Sequence, residues 1–284
     1  MPLHNPDGLT ERILLFGSIG TGKTTSYLKI AQWLQNTGSK NKVYVIDTDF
    51  SLRRMLVKNP KYKTLKNLTY FECTQWDIME DDSDFRKLTE EQREKKINNS
   101  VVRVTKKILD TIEPDDWFVV DFSDSTWSMV QAWFAERVYG KAIEDHFLLM
   151  RLEIQKTLGE GEKPKQSPVF SGRGDWPTIN KIYFAWRDTI LFQHKFNVLL
   201  TAKENDIEKD DEARTKRMFR RFGVKPSGQK EMAHQTHTVL YTDKDGDDWI
   251  MTTVKDRENK YMDEQPVKDF VLNYLVPVAG WRLK

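Results

Sequence analysis

The segment Gly17-Ser18-Ile19-Gly20-Thr21-Gly22-Lys23-Thr24 combines residue types that bind phosphate groups. It fits the pattern G-x-x-x-x-G-K-[ST], in which the glycines let successive backbone N–H groups converge on phosphate oxygens. In such a loop the lysine bridges the β- and γ-phosphates, and the hydroxyl that follows it is a ligand of Mg²⁺. We therefore predict that Gly17–Thr25 binds ATP, that Lys23 takes part in catalysis, and that Thr24 binds magnesium.

A phosphate loop of this kind also needs a carboxylate from another strand that binds the magnesium ion together with the loop hydroxyl. Asp121 is the best candidate, because it follows the apolar run Trp117–Val120 and would stand at the carboxyl end of a buried strand. A role as N-cap of the following helix suits Ser123 or Asp124 better than Asp121. We predict that Asp121 is a catalytic residue and a metal ligand together with Thr24.

Hydrolysis of a nucleotide also requires a group that orients or deprotonates the attacking water. Asp49, at the end of the second predicted strand, is the first candidate for this role. Glu72, on the next predicted strand, is the alternative. Asp49 could instead cap the short helix predicted from Ser51, so both roles of Asp49 stay open at this point.

The stretch 213–230 contains a run of cationic residues, two phenylalanines and no acidic residue. Cations neutralise phosphates and aromatic faces stack on bases, which is the combination found in single-strand binders. The acidic residues of the preceding stretch 206–212 could pair with these cations instead. We predict contacts with single-stranded DNA from Arg214, Lys216, Arg217, Arg220, Arg221 and Lys225.

Buried strands and amphipathic helices alternate along the chain and position these residues. Strands are predicted at 12–16, 42–46, 68–73, 116–121 and 196–201, and the main helices at 24–35, 51–57, 125–138 and 176–192. A charge-dense stretch with one apolar stripe predicts a long surface helix between residues 80 and 113. The alternation predicts an α/β fold in which a mostly parallel sheet lies between two helical layers and binds ligands at the carboxyl ends of its strands.

The last third of the chain has a different pattern. Strands at 238–242 and 249–254 flank a turn-rich acidic connector, which predicts a C-terminal antiparallel β-hairpin. A helix over 266–275 is predicted to close the chain, and a flexible insertion over about 159–174 and a basic loop over about 205–230 are predicted to interrupt it. With these features, residues 1–284 are predicted to form one domain.

The composition of the chain excludes several classes of protein and of site. The chain has 284 residues, with 45 lysines and arginines against 43 acidic residues, and its formal net charge of +2 excludes a globally polycationic coat for nucleic acid. One cysteine, Cys73, excludes an internal disulfide and a zinc site built on several thiolates. The sequence shows neither an apolar run of ~18–20 residues nor a signal peptide, which predicts a cytoplasmic protein without membrane contact.

Three short motifs resemble those of RecA-like ATPases. Val45-Ile46-Asp47-Thr48-Asp49 is similar to the strand end I-D-T-E of RecA-like recombinases, whose final glutamate activates water, although Asp49 is one methylene shorter. Lys225-Pro226-Ser227-Gly228 resembles the K-P-x-G segment that closes their second DNA-binding loop. Lys255-Asp256-Arg257 resembles the K-x-R finger that RecA-like hexamers and filaments insert into a neighbouring ATP site.

The order of these parts over residues 10–260 resembles the small RecA-like ATPases that phages encode beside single-strand annealing systems. The resemblance implies a three-layer P-loop NTPase fold, ATP hydrolysis with Mg²⁺, and a role in DNA recombination, annealing or replication in the host cytoplasm. It also implies self-association as a ring or filament, and a partner protein that anneals or binds single strands. In this family Thr201 and Lys203 would sense the γ-phosphate, and Lys255 and Arg257 would act on a neighbouring subunit.

Two other functions are compatible with the phosphate loop. A small-molecule kinase also uses such a loop and a strand-end aspartate, and Arg173 in the stretch 159–174 could belong to its lid. The late hairpin with Lys255 and Arg257 would then have no role. A nucleotide-dependent assembly scaffold would bind the nucleotide without turnover. Free phosphate that increases with single-stranded DNA would favour the ATPase, whereas a phosphorylated small molecule would favour the kinase.

Overall fold

The computed structural model describes residues 3–6, 8–78, 83–157, 170, 174–192 and 195–283 of the chain. Of the insertion predicted over 159–174, only Phe170 and Gly174 belong to this part, so the prediction lies outside the described residues. Within the described ranges, no helix combines the length and the apolar character that are needed to cross a lipid bilayer.

The described residues form a large mixed sheet and a small two-stranded one. The strands of the two sheets are β1 (Leu3–His4), β2 (Arg12–Gly17), β3 (Val43–Asp47), β4 (Leu68–Glu72), β5 (Trp117–Asp121), β6 (Asn197–Asp206), β7 (Val224–Pro226), β8 (Thr238–Asp245), β9 (Asp248–Asp256), β10 (Gln265–Pro266) and β11 (Arg282–Leu283). The large sheet has the order β10-β9-β8-β2-β6-β5-β3-β4, and β7 pairs with the end of β6. The small sheet pairs β1 with β11.

Neighbouring strands from β8 to β4 in this order run parallel. Strand β9 is antiparallel to β8 and forms a hairpin with it, and β10 is antiparallel to β9. The prediction of a mostly parallel sheet with a C-terminal antiparallel hairpin is therefore confirmed.

Helices cover both faces of the large sheet. They are α1 (Lys23–Asn36), α2 (Ser51–Lys58), α3 (Pro60–Lys63), α4 (Ser83–Arg86), α5 (Glu90–Ile97), α6 (Val101–Leu109), α7 (Ser123–Tyr139), α8 (Ile143–Thr157), α9 (Asp175–Phe192), α10 (Ala213–Phe219) and α11 (Met232–Gln235), followed by a π-helical turn at Val271–Leu275. Leu14 and Phe16 of β2 pack in one core with α6, α7 and α9, and Ile13 and Leu15 pack in the other with α1 and the π-helical turn. Because alternate residues of a strand face opposite sides, a strand between two cores is apolar throughout, and the three-layer α/β class is confirmed.

The stretch predicted as one long surface helix contains, in its described part from residue 83 onward, three short helices instead. Thr89 caps α5, because its side chain accepts a hydrogen bond from the backbone N–H of Gln92. Ser100 caps α6 in the same way, with the N–H of Arg103 as donor. Serine and threonine stabilise helix starts, so these two residues divide the stretch, and the buried part of the apolar stripe, Val101, Val104 and Ile108, belongs to α6.

Two further predictions differ from the structure. The stretch 205–230, predicted as a loop, contains the end of β6, α10 and β7. The helix predicted over 266–275 is replaced by the end of β10 and the π-helical turn. Asp269 accepts the N–H groups of Val271 and Leu272, so the helical turn begins only after this residue.

Candidate active site

The glycine-rich loop joins β2 to α1 at the carboxyl edge of the parallel sheet. Gly22 precedes α1 with a φ of 84°, in the left-handed region that favours glycine, and a Cβ atom there would lie 2.9 Å from the ring of Trp249. At Gly17, whose φ is 153°, a Cβ atom would lie 1.8 Å from the carbonyl oxygen of Thr242. The loop therefore packs against the β8–β9 hairpin at two positions that accept only glycine.

Gly17→Ala is expected to lower the free energy of unfolding by more than ~3 kcal/mol, because the new methyl group overlaps a backbone carbonyl of β8. Gly20→Ala is the matched control. Its φ is 82°, but no described atom lies within 4 Å of the added Cβ, so the expected loss is ~1 kcal/mol. Urea denaturation followed by circular dichroism compares the variants, and equal losses would contradict the packing of the loop against β8.

Lys23 is the first residue of α1, and its side chain folds back over the loop. Its ammonium donates hydrogen bonds to the carbonyl oxygens of Gly17 at 2.8 Å and of Ser18 at 2.6 Å. The residue is only 4 % exposed, and burial lowers the pKa of Lys23 to about 8. The ammonium thus lies inside the loop, where phosphate oxygens would be stronger acceptors than the two carbonyls.

The other predicted nucleotide-binding residues lie in the same loop and in the first turn of α1. The side chain of Ile19 is exposed at the tip of the loop, and that of Thr25 is half-buried in the first turn of α1. The hydroxyl of Thr21 donates to the carbonyl of Ser18 at 2.9 Å, while the carbonyl of Thr21 accepts the hydroxyl of Thr242 at 2.8 Å. These bonds hold the loop in shape from both sides.

Asp121 ends β5 and is fully buried. Its Oδ2 atom accepts hydrogen bonds from the hydroxyls of Thr24 at 3.0 Å and Tyr27 at 2.7 Å. Its Oδ1 atom accepts the hydroxyl of Thr201 at 2.5 Å. Burial raises the pKa of Asp121, and the three hydroxyl donors oppose that shift because they stabilise the charged form. The carboxylate is thereby held next to the phosphate loop.

The strand order explains why these side chains meet. Strand β6 lies between β2, which leads into the phosphate loop, and β5, which ends in Asp121. Thr201 of β6 is fully buried, and its hydroxyl also accepts the N–H of Phe122 at 2.8 Å. These bonds show Thr201 as a residue that positions Asp121. Lys203, two residues further along β6, is exposed, and its ammonium lies 4.9 Å from the centre of the Phe122 ring.

A second aspartate stands beside Asp121. Asp47 and Asp121 are paired in register on β3 and β5, and the carboxylates of Asp47, Asp49 and Asp121 lie within 4.8 Å of one another. Burial, with the charge of Asp121, raises the pKa of Asp47 to about 7. Asp49 is exposed, and its Oδ1 atom accepts the N–H of Ser51 at 3.0 Å. Asp49 therefore supports the start of α2 and also borders the buried pair.

Glu72 lies outside this cluster. It pairs in register with Asp47 on β4, which flanks β3 on the side away from β5. Two strand spacings of ~4.8 Å therefore separate the backbone of Glu72 from that of Asp121. Of the two candidates for activating water, the structure thus brings Asp49 next to Asp121 and leaves Glu72 on the far side of β3.

Thr24 and Asp121 offer the oxygen ligands that Mg²⁺ prefers. Thr24 Oγ1 and Asp121 Oδ2 lie 3.0 Å apart, and the carboxylates of Asp47 and Asp49 add negative charge beside them. These residues fit the predicted magnesium ion, which Thr24 and Asp121 would hold.

Three residues of the site were not singled out from the sequence. Tyr27 donates to Asp121, Asp47 pairs with it, and Trp249 packs on Gly22. A signal for Asp47 exists, since both Val-Ile-Asp and Val-Val-Asp end apolar strands. The aromatic residues carry no comparable signal, because aromatic side chains at regular spacing are typical of a core.

Most cations predicted to contact DNA are bound within the chain. The Lys225 ammonium forms a buried ion pair with Asp211, whose side chain is 1 % exposed, so Lys225 is not available as predicted. Three others have acceptors in the chain: Arg214 with Glu212 and Glu231, Lys216 with the carbonyl of Lys209, and Arg221 with Asp263 and Glu264. Arg217 and Arg220 are exposed, and the described residues include no ion pair with either.

The two phenylalanines of this stretch pack inward rather than toward a ligand. Phe219 is 1 % exposed and meets Phe16 edge to face, with ring centres 5.5 Å apart. Phe222 is half-buried against Tyr241, with ring centres 4.8 Å apart. The predicted stacking of bases on these two rings therefore does not fit, because the core of the protein already covers Phe219.

Lys255 and Arg257 lie near the amino ends of the parallel strands, whereas the phosphate loop lies at their carboxyl ends. The Lys255 ammonium donates to the carbonyls of Ala233 at 3.0 Å, His234 at 3.0 Å and Thr236 at 2.6 Å, and burial lowers the pKa of Lys255 to about 8. Its three donors are used, so Lys255 does not match the predicted finger. Arg257 is exposed and makes one long hydrogen bond, 3.4 Å, to the carbonyl of His234.

No protein-family model matches the sequence, and no curated protein matches it. Among solved structures the chain is similar to the RadB recombinase, with 13 % identity over 88 % of this chain and 82 % of that one, at a TM-score of 0.41. It is also similar to a KaiC-like protein from the hyperthermophilic archaeon Pyrococcus horikoshii OT3, with 15 % identity over 91 % and 84 % of the two chains and a TM-score of 0.41. Similarity at this level carries no argument about function, so the function is inferred from the side chains of this chain alone.

Proposed function

We propose that this chain is a RecA-like P-loop ATPase that hydrolyses Mg·ATP in response to single-stranded DNA. One observation supports this most directly: Lys23 lies inside a glycine-rich loop, and Thr24, the next residue, is hydrogen-bonded to a buried aspartate that ends another strand of the same sheet. Recombination, annealing or replication of the phage type is the proposed setting, with self-association and a single-strand-binding or annealing partner.

Each side chain of the site has a separate role in the proposed hydrolysis. Lys23 neutralises charge on the β- and γ-phosphates, and backbone N–H groups of the loop bind their oxygens. Bound Mg²⁺ would neutralise further charge on the same phosphates. Thr201 and Tyr27 keep the Asp121 carboxylate in one orientation. Asp49 is the proposed acceptor of the water proton, with the carboxylate oxygen that does not bind Ser51.

The rate of ATP hydrolysis tests this proposal. Free phosphate should appear with Mg·ATP, and the rate should rise when single-stranded DNA is added. Light scattering on the same samples measures the mass of the complex. Absence of hydrolysis under all these conditions, or transfer of the phosphate to a small molecule, would contradict the proposed ATPase.

Asp49→Asn is expected to lower turnover by at least ~10²-fold while ATP still binds, because the amide cannot accept a proton from water. Its side-chain oxygen can still accept the N–H of Ser51, so the start of α2 should be preserved. Glu72→Gln is the matched control and should retain turnover. Single-turnover kinetics, together with binding of a fluorescent ATP analogue, measure both effects. A larger loss in the Glu72 variant would move the role to β4.

Contact with single-stranded DNA is proposed for Arg217 and Arg220, the exposed cations at and just beyond the end of α10. Each phosphate contact that is lost should flatten the log–log salt dependence of binding by ~0.7. Arg217→Ser with Arg220→Ser should therefore reduce the slope by ~1.4. Arg221→Ser, whose guanidinium is paired with Asp263 and Glu264, is the control. An unchanged slope in the double variant would contradict direct contact.

A further inference from the structure

A groove of about 750 Å³ lies between α7, α9 and the segment 228–235. It is separate from the phosphate loop, and its lining includes none of the cations predicted from the sequence to contact DNA, although it includes Gly228, the end of the segment that resembles the close of a DNA-binding loop. Its wall begins at Gly228, where the φ is 96° and a Cβ atom would lie 2.8 Å from the Cα of Asp124. The groove thus adjoins the first turn of α7, directly after Asp121.

Planar side chains form the floor of the groove. Trp127 of α7 and Trp176 of α9 are stacked with ring centres 6.2 Å apart and an interplanar angle of 23°. Next to them the guanidinium of Arg187 lies 4.3 Å from the centre of the Phe184 ring. All four residues line the groove, and the two tryptophans and Phe184 are only partly buried, so flat surfaces face the space between the helices.

Groups that can bond the edge of a ring surround these surfaces. The carboxamides of Asn180 and Gln229 line the groove and face each other, with Nε2 of Gln229 3.4 Å from Oδ1 of Asn180. Arg187 is 6 % exposed; its Nε and Nη2 nitrogens donate to Asp188, whereas its Nη1 nitrogen is buried without a hydrogen-bond partner among the described residues. A buried donor without an acceptor costs free energy, so a ligand oxygen at Arg187 would be stabilised.

The charges at the rim suit a strand whose phosphates stay outside. Lys230 lines the groove and is exposed, and it can neutralise a phosphate there. The acids of the rim, Glu212 and Glu231, both pair with Arg214, which neutralises one of their two negative charges. Flat aromatic faces with carboxamides at the edge are the combination that binds an unstacked nucleobase.

We infer that this groove holds one unstacked base of single-stranded DNA, with Trp127 and Trp176 as the stacking surface. The inference rests on the proposed function, and it assigns base recognition to α7 and α9 instead of Phe219 and Phe222. The phosphates flanking that base lie on Lys230 and on the exposed cations near α10.

Two labelled oligonucleotides of equal length test the inference: oligothymidylate, and a strand of abasic sites that keeps every phosphate and lacks the bases. The protein should bind oligothymidylate more tightly by at least about fivefold, the effect of stacking one base. Trp127→Ala should remove this preference and leave the affinity for the abasic strand unchanged. Trp133→Ala, also a partly buried tryptophan of α7 but outside this groove, should keep the preference.

Circular dichroism shows whether Trp127→Ala folds. If it does not, a variant of a polar residue of the groove serves as the second test. Gln229→Ala removes one carboxamide of the groove, together with the acceptor for the N–H of Glu231, and should also reduce the preference. Equal affinity of the wild-type protein for both strands would contradict the proposed base site in the groove, while DNA binding itself would remain supported. Equal loss of preference in the Trp127 and Trp133 variants would overturn it as well. Failure to bind either strand would instead overturn the proposed DNA coupling, and the groove with it.

Discussion

Lys23→Ala is expected to reduce ATP hydrolysis by at least ~10²–10³-fold, the loss that follows removal of one group that stabilises transition-state charge. The ammonium lies inside the glycine-rich loop, bonded to two of its carbonyls, and described neighbours within the loop offer no second cation. The fold should survive the change. The variant loses two hydrogen bonds to carbonyls, but it also removes a buried charge whose lowered pKa shows that burial disfavours it.

Lys29→Ala is the matched control for this experiment. Lys29 lies on the same helix and pairs with Asp269 at 3.2 Å, so its removal costs one partly exposed ion pair and leaves the loop intact. Phosphate release measures turnover, and thermal unfolding measures stability. Wild-type turnover in Lys23→Ala would contradict the assignment of the loop to ATP.

Arg257→Ala is expected to lower ATP hydrolysis by ~10³–10⁵-fold, the size of the effect of an arginine finger. Arg257 follows Asp256, which pairs with Thr238 at the amino end of β8, whereas the phosphate loop follows the carboxyl end of the neighbouring β2. The two lie more than ~13 Å apart along the strand direction, so Arg257 cannot reach the phosphates of its own chain. A role as a finger would therefore require a neighbouring subunit.

Mixed subunits test this mechanism. Arg257→Ala subunits keep an intact phosphate loop, and Lys23→Ala subunits keep an intact Arg257, so an interface between them contains one complete site. In an equal mixture of a head-to-tail oligomer, about one quarter of the interfaces should be of this kind and should hydrolyse ATP. Lys255→Ala should affect stability more than turnover, because its ammonium binds three carbonyls. An inactive mixture in which mixed oligomers are shown to form would contradict action in trans.

The alternation of strands and helices could be predicted because each strand between two cores is apolar along its whole length. Ile13–Phe16 and Trp117–Val120 are such runs, and both are strands. The stretch between residues 80 and 113 could not be predicted in the same way. Its apolar stripe is continuous in the sequence, but Thr89 and Ser100 each start a new helix. A side chain that caps a helix competes with the helical period, and periodicity alone does not show which one prevails.

The sequence by itself determined the features that depend on neighbouring residues: the glycine-rich loop between a strand and a helix, the acids at the strand ends, and the hairpin. Only the tertiary structure decided which charged groups are available. Lys225 and Arg217 belong to the same basic stretch, yet Asp211 binds Lys225 in a buried pair, whereas Arg217 is exposed. It also decided that Thr201 holds Asp121, although the two are far apart in the chain. Burial and ion pairing depend on contacts between distant segments, and these contacts follow from the strand order of the folded sheet rather than from any local pattern.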